Sequence, residues 1–512
     1  MTLRIGIDVG GTNTDAVVLD AADRVVAKAK RPTTQDVTGG LRAALDAVLA
    51  ELTPDRRAAI SRVMLGTTHA TNAILERRNL GRVAVLRLGA PATTSVPPLA
   101  DWPDDLRKTV SAGEAILPGG HYVDGRPISP LDLDAVRRFL DRASGAQAVA
   151  VTSVFSPADA EHERVVGELA EREYGLPVSL SHEIGSLGLL ERENATVLNA
   201  ALYGVAAQVT RALVTALAER GIGARPYLAQ NDGTLMTVEH ATRLPVSTIG
   251  SGPANSLRGA AFLSGVRDAI VADVGGTSTD LGVLAGGFPR ESAAAVEIGG
   301  VLTNFRMPDI LAIALGGGTV VRDGSIGPDS VGYRLAERGR MFGGDVLTMT
   351  DAGVHGGRMA DVPATWDRSA LHGLEPQAVR ALALADTMIF DAVDRMSLGR
   401  ADRPLVAVGG GAFLLPGDIP GVSGVIRPEH AEVANAVGAA IALASGRADT
   451  ILPAGARVEG IERAKEEARA KAVQAGADPG RVEIVDLMEV PLSYLAEPTV
   501  RLHVRAAGPL AT

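Results

Sequence analysis

The chain has 512 residues, a formal charge of −10, 46% apolar and 3% aromatic residues, and no cysteine. Such a length suits about three domains with sizeable cores, the acidic balance without a dense Lys/Arg run argues against nucleic-acid partners, and the lack of cysteine excludes disulfides, thiol nucleophiles, thiolate zinc sites and iron–sulfur clusters. The first apolar stretch already carries Arg4 and Asp8, and no uncharged apolar run is long enough to span a bilayer. Neither a secretion signal nor a membrane span is expected, and the expected address is cytoplasmic.

In chain order, residues 3–9 and 16–19 read as apolar strands joined by a turn at Gly10-Gly11-Thr12, followed by a third strand over 25–30 and an amphipathic helix over 39–52. Residues 63–76 read as strand, polar turn and helix start, with Thr67 or Thr68 as the helix cap. After a strand over 82–88, residues 90–130 are rich in Pro, Gly and Asp and are expected to be irregular. A helix (131–143), a strand (148–154), a helix (158–174) and a short strand (178–181) complete a first α/β unit, and one long helix over 191–220 is expected to bridge to a second. That second unit opens with a strand over 226–229, the polar turn Gln230-Asn231-Asp232-Gly233-Thr234, and a helix entered at Gly250-Ser251-Gly252-Pro253. A second hairpin at 269–284, a helix over 377–396, a strand over 405–408, the triplet Gly409-Gly410-Gly411 and a helix over 431–444 finish it. A charged helix (459–474) and strands over 481–488 and 499–504 look like a small α+β appendage.

The two hairpins carry nearly the same octapeptide. Asp8-Val9-Gly10-Gly11-Thr12-Asn13-Thr14-Asp15 and Asp273-Val274-Gly275-Gly276-Thr277-Ser278-Thr279-Asp280 differ only at Asn13 and Ser278. Paired glycines permit positive φ and remove Cβ, so that backbone N–H groups can converge on phosphate oxygens. Asn13, Thr12, Thr14, Thr277, Ser278 and Thr279 add polar side chains. Asp8 and Asp273, at the ends of strands, are placed to hold Mg²⁺ through water or to orient an attacking oxygen. No Walker G-x-x-x-x-G-K-[ST] occurs, and a Rossmann turn would open a helix where this chain has a second strand. His-x-His, His-Glu-x-x-His and Gly-x-Ser-x-Gly are also absent. The chemistry is expected to come through a bound nucleotide.

These features resemble the actin-like ATPase superfamily and, within it, the hydantoinase/oxoprolinase A-subunit family. Besides the octapeptides, the resemblance is carried by Gly66-Thr67-Thr68 with Ala70-Thr71-Asn72-Ala73, Ser179-Leu180-Ser181-His182-Glu183, Glu191-Arg192-Glu193 with Asn199-Ala200, Ser251-Gly252-Pro253-Ala254, Gly316-Gly317-Gly318 and the helix around Ala434-Asn435-Ala436. It covers roughly residues 1–445. The resemblance implies a duplicated actin-like, ribonuclease-H-like α/β fold with two lobes, 1–185 and 186–449, around a nucleotide cleft, and an appendage at 450–512.

It further implies ATP and Mg²⁺ as cofactors, with Gly409, Gly410 and Gly411 against the adenosine. The implied activity is ATP-dependent hydrolysis of a cyclic amide (hydantoin, oxoproline or lactam) by phosphorylating its carbonyl oxygen, or activation of a carbonyl for carboxylation. The chain resembles the shorter form of the subunit, which implies a separate partner subunit and an oligomer. A small-molecule kinase and a non-catalytic nucleotide switch are the alternatives.

Candidate substrate contacts are His69, Asn72, Asn231, Gly316 and Gly317. For His69 the alternative is a capping role, for Gly316-Gly317-Gly318 a plain turn, and Glu191-Arg192-Glu193 reads either as a cleft lining or as a charged helix start. The chain departs from the family pattern at His69, in the partial Asn231-Asp232-Gly233-Thr234 turn, and in lacking a Pro-Gly-Pro stretch after Gly327-Pro328-Asp329-Ser330.

Overall fold

The computed structural model describes residues 2–511 apart from 35–36, 186, 293–294, 324, 401 and 493–497. It is a mixed α/β structure with two large sheets, each built around one octapeptide hairpin. In the first, Leu3–Val9 pairs antiparallel with Asn13–Leu19 and parallel with Ile60–Thr67, so that Asp8 lies opposite Asp15 on one side and Gly66 on the other. In the second, Ala269–Val274 pairs antiparallel with Thr279–Ala285 and parallel with Leu405–Val408, placing Asp273 opposite Asp280 and Val408. The sequence repeat is therefore a repeat of register.

Two helices cross between these sheets. Ser251–Ser264 and Ala434–Ile441 approach so closely that a Cβ on Gly259 would lie 1.9 Å from the Ala434 carbonyl oxygen, and one on Gly438 1.9 Å from that of Asn255. Gly6 extends the contact, since its Cβ would fall 2.1 Å from the Ala436 oxygen. Small residues at these positions let backbone rest on backbone.

The first sheet has nine strands, in the order Glu483–Leu492, Thr499–Gly508, Leu443–Pro453, Thr234–Thr237, Arg225–Ala229, Ile60–Thr67, Leu3–Val9, Asn13–Leu19, Val25–Pro32. The sheets thus cross the expected boundaries at 185/186 and 449/450. Residues 450–512 do not stand apart as an appendage, because Leu443–Pro453 pairs parallel with Thr234–Thr237 and antiparallel with Thr499–Gly508. The helix expected to run to residue 444 ends at Ile441, and the strand takes over.

A separate four-stranded parallel sheet, in the order Ser111–Pro118, Val83–Ala90, Ala148–Ser153, Val178–Leu180, lies within the first half of the chain. Residues 90–130 are not wholly irregular: helix Asp104–Val110 buries Leu106 and Val110, and Ser111–Pro118 forms an edge of that sheet. Half-buried along its whole length, that edge strand lacks the strong apolar pattern of an interior one. The expected helix over 191–220 is two, Leu189–Ala201 and Tyr203–Glu219, bent by 48°. No single helix among the described residues is long and apolar enough to cross a membrane.

Candidate active site

Each octapeptide folds into a turn closed by its own backbone: the Gly10 N–H donates to the Asn13 oxygen at 3.0 Å, and the Gly275 N–H to the Ser278 oxygen at 2.9 Å. Among the described residues, the N–H groups of Gly11, Thr12, Gly276 and Thr277 donate to no protein acceptor. The two turns meet, since a Cβ on Gly276 would lie 3.3 Å from Thr12 Cγ2. None of Gly10, Gly11, Gly275 and Gly276 has positive φ. What they supply is access: a Cβ on Gly11 would have nothing within 4 Å, so the glycine leaves the N–H groups open to an incoming anion.

Side chains around the turns divide by strand alternation. Thr12, Asn13 and Ser278 are half-buried and Thr277 is exposed at the turns. Thr14 and Thr279 are buried and face away, correcting their assignment to the nucleotide: the Thr14 hydroxyl is 3.1 Å from that of Thr33, and Thr279 Oγ1 donates to the Leu315 oxygen at 2.6 Å.

Behind the turns four carboxyls gather in two register pairs, Asp8 with Asp15 and Asp273 with Asp280. Burial, reinforced by Asp15 and Asp273, pushes the Asp8 carboxyl up to about 6. Burial and Asp273 push Asp280 up to about 7. Asp15 and Asp273 are also raised, burial being the main cause, and the Lys30 ammonium at 2.6 Å from Asp15 only partly offsets it.

The crossing helices hold these groups. Asn255 Nδ2 donates to Asp8 Oδ1 at 3.3 Å, Asn435 Nδ2 donates to Asp8 Oδ2 at 3.4 Å, and the Ser256 hydroxyl donates to Asp273. Gly66 makes room for the first of these bonds, because its Cβ would lie 2.3 Å from both Asp8 Oδ1 and Asn255 Nδ2. Asn255 Oδ1 is buried without a partner. Sequence reasoning quoted Asp15, Asp280 and Asn435 only as parts of motifs and missed Asn255 and Ser256; the Asp that closes both octapeptides was the one available signal.

Carboxyls raised chiefly by burial, beside open N–H donors, fit a metal-bound polyphosphate, whose cation would favour their ionised forms. Asp8 and Asp273 belong to no group of three or more clustered metal-ligating side chains among the described residues.

The glycine triplets brace the second turn. A Cβ on Gly409 would lie 2.3 Å from Asp273 Oδ1, and the Gly411 N–H donates to the Val274 oxygen at 2.8 Å. Of the expected adenosine contacts, Gly410 faces open space. Gly316 and Gly317 are not placed to touch substrate: both are buried, the Gly317 N–H donates to the Gly275 oxygen at 3.0 Å, and a Cβ on Gly316 would lie 2.6 Å from the Thr277 nitrogen. Asn231 is likewise engaged, its Nδ2 donating to the Val246 oxygen and its Oδ1 accepting from the Gly250 N–H. Both corrections have one cause, that irregular backbone beneath a site needs its own polar partners.

His69 lies beside the first turn, one residue beyond Thr68, whose N–H donates to the Val9 oxygen at 3.2 Å. Thr67 Oγ1 accepts the His69 N–H and is 2.5 Å from Nδ1, while burial pushes the imidazole down and keeps it neutral. A small, mostly apolar cavity adjoins it, lined by Thr67, Ala70, Val205, Val209 and Leu228. Asn72 follows on the same helix, its Nδ2 3.5 Å from Thr68 Oγ1. The Glu191-Arg192-Glu193 segment proves structural in its last two residues: Glu193 accepts two bonds from the buried Arg87 guanidinium at 2.6 Å, and Arg192 donates to Ser181 Oγ and the Ser153 oxygen.

Residues 4–174 match the family model for the hydantoinase/oxoprolinase N-terminal region, and residues 192–365 match that for hydantoinase/oxoprolinase. The chain belongs to the hydantoinase/oxoprolinase family. It is 28% identical to the acetophenone carboxylase gamma subunit of Aromatoleum aromaticum, over 69% of this chain and 54% of that one. It is also 28% identical to the caprolactamase subunit alpha of Pseudomonas jessenii, over 70% and 55%. The chain spans about half the length of these curated relatives. The crystal structure of the ATP-dependent caprolactamase from Pseudomonas jessenii superposes with a TM-score of 0.77 at 21% identity, covering 99% of this chain and 88% of that one, which shows a shared fold. Within this family member, both phosphate-type turns fall inside the matched regions.

Proposed function

We propose that this chain is an actin-like ATP-binding subunit that activates the carbonyl oxygen of a cyclic amide by phosphorylation, so that a ring C–N bond can be hydrolysed. The observation that carries the reading is the meeting of two register-matched turns, each with free N–H groups at its tip and a carboxyl behind it, Asp8 buried and Asp273 half-buried. ATP would lie between them, its phosphates on the N–H groups of Gly11, Thr12, Gly276 and Thr277 and its adenosine towards Gly410. Asp8 and Asp273 would hold Mg²⁺ through water; the ion would neutralise phosphate charge during transfer.

His69 supplies the substrate end of the site. A neutral ring that accepts the Thr67 hydroxyl at Nδ1, 2.5 Å away, would carry its proton on Nε2, a donor suited to a carbonyl oxygen next to an apolar ring. A ring amide is a poor electrophile, and phosphorylating its oxygen creates a leaving group without any protein nucleophile. That suits a chain without cysteine. Completion of the hydrolysis is assigned to a separate partner subunit, in line with relatives named as subunits.

Activation of a ketone for carboxylation is the second reading, favoured by an identity to the acetophenone carboxylase subunit equal to that with the caprolactamase subunit. Phosphorus NMR of reactions containing ATP and either cyclic amides or ketones with bicarbonate separates the readings. Inorganic phosphate formed with a ring-opened amino acid supports amide hydrolysis, phosphate formed with a carboxylated ketone supports the second reading, and a stable phosphate ester would instead mark a kinase.

A further inference from the structure

The four-stranded parallel sheet ends, on its carboxyl side, in segments carrying imidazoles and carboxylates that the nucleotide cleft does not use. The carboxyl ends of parallel strands are where ligands gather, because the connecting loops diverge there. Strand Ser111–Pro118 runs into Gly119-Gly120-His121, both glycines having positive φ, and a Cβ on Gly120 would lie 2.8 Å from the Leu88 oxygen. This tight return sets His121 into the sheet edge with its N–H donating to the Val154 oxygen at 3.2 Å. Strand Ala148–Ser153 leads to Asp159 and to Glu161, the first residue of helix Glu161–Tyr174. Asp159 Oδ1 accepts the Glu161 N–H at 2.9 Å, which fixes the two carboxylates relative to each other.

Among the described residues, a ring nitrogen of His121 and one carboxylate oxygen each of Asp159 and Glu161 all lie within 4.8 Å of one another. Independently of that grouping, His121 is only 2% exposed and its Nδ1 has no hydrogen-bond partner. A buried ring nitrogen left unpaired is destabilising, and native structures normally relieve such an atom with a protein group, a water or an ion. The neighbouring imidazole does not relieve it: His162 packs at 4.2 Å between centroids and uses its own Nδ1 to accept the Gly120 N–H at 3.0 Å.

We propose that His121, Asp159 and Glu161 bind a divalent transition-metal ion at a site distinct from the nucleotide cleft. One imidazole and two carboxylates form a borderline donor set that favours zinc or manganese over magnesium, and three protein ligands leave a position for water or an exogenous ligand. Glu161, exposed on a long side chain, can close the last part of the distance to the ion. Binding would pin the loop after Pro118 to the start of helix Glu161–Tyr174.

The test is calorimetric titration of Zn²⁺ into the chelator-treated full chain without nucleotide, with metal content measured after gel filtration and the ion located by anomalous scattering. One equivalent should bind at these residues and raise the melting temperature. Glu161→Gln, at an exposed position, should fold normally and bind at least about tenfold more weakly, and Asp159→Asn and His121→Ala should lose the site. The double variant Asp8→Asn/Asp273→Asn should keep it. Absence of a zinc equivalent, binding unchanged in Glu161→Gln and His121→Ala, or zinc found at Asp8 and Asp273 would each overturn the proposal; Asp159 and Glu161 would then serve only as carboxylates at a helix N-terminus.

Discussion

Replacing Asp8 by Asn should make the nucleotide-free protein more stable while disabling it. The Asp8 carboxyl is lifted from 3.8 to about 6, chiefly by burial. At about 1.4 kcal/mol per factor of ten, keeping it ionised at pH 8 costs the folded state about 3 kcal/mol. Asparagine carries no charge but also presents an NH₂ to one of its two donors, Asn255 or Asn435. Rotation of the Asn255 amide would turn its unpartnered Oδ1 towards that group, so the loss is held to about one hydrogen bond, or about 1 kcal/mol.

The net expectation is a gain of about 2 kcal/mol at pH 8, read as a rise in melting temperature in EDTA. The sign follows from linkage. With the folded-state value raised, the parent has its full stability below pH 3.8, loses it as pH rises through about 6, and should therefore match the variant near pH 4. ATP with Mg²⁺ should stabilise the parent and not the variant. The reasoning fails if Asp8→Asn melts below the parent at pH 8, if its gain is the same at pH 4, or if nucleotide stabilises both alike.

Gly11→Ala should fold with an unchanged melting temperature, since its Cβ has no neighbour within 4 Å, yet lose ATP binding in calorimetry; retained affinity would contradict an open N–H cradle. Gly66→Ala should do the reverse in origin, lowering stability by about 2 kcal/mol or more because its Cβ would lie 2.3 Å from Asp8 Oδ1 and Asn255 Nδ2. Glu193→Gln leaves the buried Arg87 guanidinium uncompensated and should cost about 3–5 kcal/mol in chemical denaturation, whereas a cleft-lining role would lower activity at constant stability. Asp232, held well below the usual carboxylate range by Arg447 and Arg505 despite its burial, should contribute stability that is lost as pH falls below the ordinary carboxylate range, the opposite sense to Asp8. An Arg447→Met variant whose acid melting profile matched the parent's would remove that assignment.

Local backbone geometry around the two turns was legible in the sequence, and contacts shared between distant segments were not. The octapeptides gave the turns, their aspartates and their pairing partners, because hairpin register follows from a short turn between apolar strands. The same strings suggested that every hydroxyl faced the ligand, and alternation along the strand sends Thr14 and Thr279 the other way. Of the two properties expected of the turn glycines, positive φ is not used, while the missing Cβ leaves the open space at Gly11. Asn231, Gly316 and Gly317 looked like ligand contacts and are braces, since a polar side chain or a glycine reads alike whether it serves a substrate or a neighbouring loop.

Composition and the repeated octapeptide by themselves determined a large α/β chain with two matched hairpins and no thiol for its chemistry to use. Tertiary structure alone decided that strands Leu443–Pro453, Glu483–Leu492 and Thr499–Gly508 complete the first sheet, and that Gly259 and Gly438 let two helices cross so that Asn255, Ser256 and Asn435 reach Asp8 and Asp273. Strand registers and turns are set by interactions a few residues long; which distant segment fills a sheet edge, or donates to a buried carboxyl, depends on packing partners that lie hundreds of residues away, as Asn435 does from Asp8.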